Sequence, residues 1–137
     1  MTPPGATEAG KGAGAASPPA AFGRLQTLRR RTDFLQAGRG RRQGASGLVL
    51  LARRREGADI DPDVIRVGYT CSRRLGNAVT RNRARRRLRE AARLVLPRDG
   101  RPGWDYVLIG RQGATAERRF DDLLADLREA LAGVHGE

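Results

Sequence analysis

Arg66-Val67-Gly68-Tyr69-Thr70-Cys71-Ser72 runs through Arg73-Arg74-Leu75-Gly76 into Asn77-Ala78-Val79-Thr80-Arg81-Asn82-Arg83-Ala84-Arg85-Arg86-Arg87-Leu88-Arg89-Glu90, and this stretch decides the fold. Its first part, extended back to Val64, alternates. Ile65, Val67, Tyr69 and Cys71 point one way, and Arg66, Gly68, Thr70 and Ser72 the other, which is the period of a strand with one apolar face. From Asn77 the period changes to that of a helix, expected to run to Leu96 and to stop at Pro97. At about 100° per residue, Ala84, Leu88, Ala91 and Val95 share a narrow stripe bordered by Thr80 and Ala92. Asn82, Arg86, Arg89 and Arg93 fall opposite it, Arg83 and Arg85 lie on the flanks, and Arg81 and Arg87 border the apolar stripe. A strand and a helix that each have one apolar face bury them against each other.

Working outward, Leu48–Ala52 and Trp104–Ile109 read as strands, with a further strand near 39–47. Arg31–Ala37 reads as a short helix with Thr32 as cap and Gly38 as stop. Ala116–Leu131 reads as a long helix whose Phe120, Leu123, Leu124, Leu127 and Leu131 form a core stripe. Residues 56–63, with Glu56, Asp59, Asp61 and Asp63 around Pro62, suit a solvated hairpin connection. The order predicts an α+β fold, a two-layer sandwich of a small mixed sheet with helices on one face. Residues 1–23 contain 16 Gly, Ala or Pro, too little apolar surface to offset the entropy of ordering, and are expected to be a disordered tail. The domain is expected over 24–134, with 135–137 as a frayed end.

The 137 residues carry 27 basic against 15 acidic side chains, a formal charge of +12. Lys11 is the one lysine, so the charge is nearly all guanidinium, a planar fork that meets phosphate oxygens two at a time. The charge is also localised. Residues 66–93 hold ten arginines against Glu90 alone, whereas residues 112–137 hold three against six acids. Like charges at i,i+4, such as Arg81, Arg85 and Arg89, repel by a few tenths of a kcal/mol each (about 0.2–0.5). A solvated helix face would intersperse Glu; this one calls for a polyanion. The helix alone does not distinguish RNA from DNA, although its apolar stripe disfavours a reader lying free in a major groove. A structural protein of the ribosome would share the same charge.

The scarce residues narrow the chemistry. Cys71 is the only cysteine and His135 the only histidine, so an internal disulfide, a Cys/His zinc site and Ser–His–Asp or Cys–His catalysis lack their parts. No catalytic residue and no protein-held metal are expected. No apolar run is long enough to span a bilayer and no charged-then-apolar leader opens the chain, so the expected location is cytoplasmic. Cys71 reads as a small buried hydrophobe. Phe34, flanked by Arg29, Arg30, Arg31 and Arg39, could stack on a base, and its spacing suits a core aromatic at least as well.

In the order of its pieces, the stretch quoted above resembles the protein subunit of bacterial ribonuclease P. A strand ends in Ser and two basic residues, Gly76-Asn77-Ala78-Val79 follows, and a helix opens with Arg81-Asn82-Arg83. A weaker resemblance runs from about Leu28 through Asp33-Phe34 to Trp104–Arg111 and the last helix. It implies an α+β sandwich with a left-handed βαβ crossover, an exception to the right-handed rule. It further implies a ribonucleoprotein that removes 5′ leaders from precursor tRNA, catalysed by the RNA subunit. The Mg²⁺ would be held mainly by that RNA and the substrate, with one protein per RNA and no membrane. Arg81, Asn82, Arg83, Arg85, Arg86 and Arg89 match the RNA-subunit-binding helix. Phe34 matches an aromatic of the leader cleft, whose remaining contacts would be Arg66, Thr70, Ser72, Arg73 and Arg74. Two departures stand out: Gly38 replaces a second aromatic, and near Ala52 many members carry an aromatic lining the cleft that this chain lacks, so leader stacking would be thinner, with Arg39, Arg41 and Arg42 contributing electrostatically.

Overall fold

The computed structural model describes residues 24–56 and 63–136; the tail expected over 1–23 and most of the 56–63 connection lie outside them. In chain order the elements are β1 (Arg24–Thr27), α1 (Arg31–Ala37), β2 (Arg41–Gly44), β3 (Leu48–Arg54), β4 (Val64–Thr70), a 3₁₀ turn (Arg73–Leu75), α2 (Ala78–Asp99), β5 (Trp104–Gly110) and α3 (Phe120–Val134). One sheet has the order β1-β4-β5-β3-β2. β4 is parallel to both β1 and β5, and β3 is antiparallel to both β5 and β2. β4, α2 and β5 form a parallel strand–helix–strand unit over residues 64–110.

The mixed sheet and the α+β class are as expected. α2 and α3 cover one face, where Ile65 and Val67 of β4, Leu48, Leu50 and Ala52 of β3, and Tyr106 and Leu108 of β5 meet Leu88, Val95, Leu123 and Leu127. The short α1 departs from the expectation that all helices share that face. Phe34 and Ala37 pack with Leu28, Leu51, Val107 and Ile109 on the opposite side. The sign was in the sequence: Leu48–Ala52 and Tyr106–Ile109 are continuous apolar runs, which strands covered on both faces require.

Other boundaries moved for identifiable reasons. β1 was not anticipated, because an edge strand of four residues with Leu25 as its main apolar contact has almost no pattern. Asn77 caps α2 by accepting from the Thr80 N–H at 3.0 Å, but Pro97 does not end the helix. It lies in the last turn, and Gly100 donates to the Leu96 carbonyl at 2.8 Å to close it. α1 begins at Arg31 with Arg30 in the cap position, so Thr32 is inside the first turn and caps nothing. α3 begins at Phe120 rather than Ala116. The preceding residues form tight turns on the Arg111 and Ala114 carbonyls, pinned where the Thr115 hydroxyl donates to the Gly47 carbonyl and accepts from the Arg111 N–H.

The expected frayed end is partly docked. His135 is buried, shares a 2.8 Å hydrogen bond with the Tyr106 hydroxyl, and meets the Trp104 ring edge-on at 4.5 Å. Arg41 reaches the same corner, donating to the Val134 carbonyl and lying over Trp104.

A charged network fixes α1 to the sheet. Asp105, 1 % exposed, accepts from Arg66 Nε and Nη2 at 2.8 and 2.6 Å and from Arg55 Nη1 at 2.9 Å. Arg66 Nη1 extends to Asp33 of α1 at 3.4 Å. Arg55 also donates to the Val64 and Trp104 carbonyls. The hydrogen bonds to Asp105 hold the Arg66 guanidinium above its ordinary pKa, against the opposing effect of burial. Asp105→Ala leaves two arginines facing a buried hole, so a loss of about 3–5 kcal/mol is expected in denaturant unfolding; a loss below about 1 kcal/mol would show the network to be dispensable.

Burial also pushes the Tyr69 and Tyr106 phenols up to about 12, although Arg89 opposes this at Tyr69 and the Arg101 N–H opposes it at Tyr106. A folded-state pKa above the unfolded value of about 10 gives stability that is complete below pH 10 and lost as pH rises toward 12. Absorbance titration should therefore show almost no tyrosinate at pH 10.5 while the chain is folded. Half-ionisation of either tyrosine at that pH in the folded chain would contradict the packing.

Candidate nucleic-acid interface

α2 sorts its residues as the period predicts. Ala84, Leu88, Ala91, Ala92, Val95 and Leu96 are buried, while Asn82, Arg83, Arg86, Arg89 and Arg93 are exposed and Arg81, Arg85 and Arg87 half-buried. The cap at Asn77 and the packed stripe fix the helix, so the outward side chains start from a rigid support. Arg83 and Arg86 make no hydrogen bond or ion pair among the described residues. Arg85 donates to Asn82 Oδ1 at 3.1 Å, and Arg89 lies 5.5 Å from the Tyr69 ring centroid. The six residues expected to contact an RNA subunit therefore lie along one basic helix, none of them paired with a carboxylate among the described residues.

Two neighbours on the helix are occupied elsewhere. Arg87 donates to the Thr115 and Arg118 carbonyls and lies over Phe120, which ties α2 to the turn before α3. Arg93 is paired with Glu90, whose carboxyl the guanidinium holds below its usual range. Cys71 lies beneath this surface. Burial pushes its thiol up in spite of Arg85 and Arg81 nearby, so it remains a packed thiol and not a thiolate nucleophile.

The other expected contacts surround α1. Phe34 is half-buried, and its ring lies over Gly68: a Cβ at that position would stand 2.5 Å from Phe34 Cε1 and 3.2 Å from Leu28 Cβ. The smallness of Gly68 thus makes room for the Phe34 ring. Thr70, Ser72, Arg73 and Arg74 are exposed beyond it, leading from this cleft to the N-terminal end of α2. Arg66 is drawn away from them. Three of its nitrogens are engaged by Asp105 and Asp33, and only 15 % of its side chain is exposed, so it positions α1 and has little of its fork left for phosphate.

Two further sequence expectations change. Ala52 is fully buried among the residues facing α2 and α3, so the side chain at position 52 faces away from α1 and takes nothing from the cleft. Arg41 likewise turns to Val134 and Trp104 on the long-helix side. Arg42, paired in register with Leu51, stays on the α1 side. The residue the sequence reading missed is Asp105, although its signal was present. One acid inside an apolar strand, in phase with Val107, has to be buried with a cation.

Among the described residues no three of His, Cys, Asp and Glu gather as a metal site. The two carboxylates nearest the cleft, Asp33 and Asp105, are both held by arginine. The described donor set therefore does not fit a Mg²⁺ ion.

With this geometry in place, relatives can be compared. The Ribonuclease P family profile matches residues 22–135. A ribonuclease P protein component from Ruegeria pomeroyi is 61% identical over 111 residues, covering 81% of this chain and 87% of the relative. One from Paramagnetospirillum magneticum is 49% identical over 112 residues, covering 81% and 84%. Among solved structures, the ribonuclease P protein from Thermotoga maritima superposes with a TM-score of 0.65 at 26% identity, over 80% of this chain and 97% of that one. The matched span contains the sheet, the basic helix and the α1 cleft together, and the chain belongs to the ribonuclease P protein family.

Proposed function

We propose that this chain is the protein component of a cytoplasmic ribonuclease P, binding the catalytic RNA and the 5′ leader of precursor tRNA so that the leader is removed and the mature 5′ end formed. The observation that carries this reading is the outward face of α2. Asn82, Arg83, Arg86 and Arg89 stand outward on a helix whose other side is locked in the core, with Arg85 on its flank and the half-buried Arg81 at the border of the apolar stripe. Phosphates from the RNA subunit supply the negative charge that this surface lacks. The leader lies along α1, with Phe34 at its edge and Thr70, Ser72, Arg73 and Arg74 continuing the track toward α2.

The chain's contribution is charge neutralisation and placement of two RNAs relative to each other. Hydrolysis, with its Mg²⁺, belongs to the RNA subunit and substrate, one protein serving one RNA. Arg66 enters as a positioning residue, since its bond to Asp33 sets where α1 and Phe34 stand.

Titrating RNA-subunit binding against salt tests this. Each phosphate contact contributes roughly 0.7–0.9 to the slope of log K on log salt. Arg86→Ala with Arg89→Ala should make the slope shallower by about 1.5 while the far-ultraviolet circular dichroism stays unchanged. A wild-type slope in the folded double variant would remove this face from the contact surface.

A further inference from the structure

A second cationic cluster lies at the end of the sheet where β2 begins and β3 ends, away from the outward face of α2. Residues 39–55, the β2–β3 hairpin with its flanks, contain six arginines and no acid; the next acid in the chain is Glu56. Pairing in the sheet places them. Ala52 faces α2 and α3, so Arg41, its partner in register, and Arg54, two residues further along β3, share that face. Arg54 is paired with Trp104, and the Arg41 guanidinium is 5.9 Å from the Trp104 ring centroid. Arg53 points to the other side, its Cβ packed close to Gly40. Arg54 is exposed, Arg53 and Trp104 are half-exposed, and neither arginine makes a hydrogen bond or ion pair among the described residues.

Because β4 and β5 are parallel, Trp104 lies at the end of the sheet where α2 finishes, opposite the end where it begins. At 1.5 Å per helical residue this corner is about 25–30 Å from Arg81 and Arg83. Guarding an edge strand against aggregation accounts for charge on β2. Either sign of charge guards an edge, however, so guarding does not select six cations without an acid. Adjacent like charges on paired strands also repel. Among the described residues, Arg55 alone of the six finds a carboxylate, the buried Asp105.

We infer that the corner where Arg41 and Arg54 flank Trp104, with Arg53 on the reverse side of β3, is a second RNA phosphate-binding surface, so that RNA engages the protein at both ends of the sheet. The inference rests on the proposed ribonucleoprotein function. The shared chemistry is the sugar–phosphate backbone, which the RNA subunit or the precursor tRNA would supply. A contact about 25–30 Å from the first fits an extended or folded polyanion and excludes a single short anion.

The test uses Arg53→Ala with Arg54→Ala, which removes no side-chain hydrogen bond or ion pair among the described residues, in two arms. One measures binding of the chain to the RNA subunit; the other measures binding of precursor tRNA by the reconstituted complex. In the arm whose RNA touches the corner, the salt slope should become shallower by about 1–2 and affinity at low salt should fall several-fold. Trp104, the chain's one tryptophan, gives an independent reading, since its quenching by acrylamide should fall when that RNA binds. Wild-type slopes in both arms overturn the inference, and aggregation of the variant with unchanged slopes overturns it in favour of edge guarding. The Arg86→Ala/Arg89→Ala chain is run alongside. If it too binds as wild type, the proposed function has failed; if it alone loses binding, only the second surface has.

Discussion

The Asp105 carboxylate, enclosed between Arg55 and Arg66, is the contact on which the arrangement of the functional surface depends. Burying a carboxylate without a cation is prohibitively costly, and burying it between two brings three chain segments to one point. Arg55 follows β3, Arg66 belongs to β4, Asp105 is the second residue of β5, and Arg66 continues to Asp33 on α1. The central strands and the short helix are thereby held in one relation. Phe34 stands over Gly68 because the helix that carries it is held at both its apolar and its charged contacts.

The second constraint is that α2 has to serve two environments. Its Ala84–Leu88–Ala91–Val95 stripe is fully excluded from water, which sets the helix's rotation to within a fraction of a turn. Rotation then decides which arginines are outward, and Arg87 and Arg93 are withdrawn into local bonds. A basic peptide of the same composition would have the charge without this fixed geometry. Rigid presentation matters when the partner is a folded RNA whose phosphates also have fixed positions.

Much of this was legible in the chain because the signals were periodic. Alternation from Val64 to Ser72 and the 3.6-residue period after Asn77 identified the β4–α2 unit and its buried stripe, and the arrangement of Arg, Asn and Gly identified the family. What was not legible depended on contacts between distant segments. Nothing local says that Arg66 is spent on Asp105, that Gly68 makes room for Phe34, or that His135 docks on Tyr106. Position 52 illustrates the limit. The run Leu48–Ala52 is apolar throughout, and only pairing with Tyr106 shows that Ala52 faces the long helices rather than α1. β1 went unread because four residues at an edge carry little pattern, and Pro97 misled because a proline in the last turn of a helix forfeits one bond without ending it.

The central claim is that the chain arranges RNA and leaves the chemistry to RNA. Cleavage of a precursor tRNA by the cognate RNA subunit at low Mg²⁺, with and without the chain, addresses it most directly. The account predicts slow cleavage by the RNA alone, rapid release of the leader when the chain is added, and no cleavage by the chain by itself. Cleavage by the purified chain without RNA, or an RNA rate that the chain leaves unchanged, would contradict it.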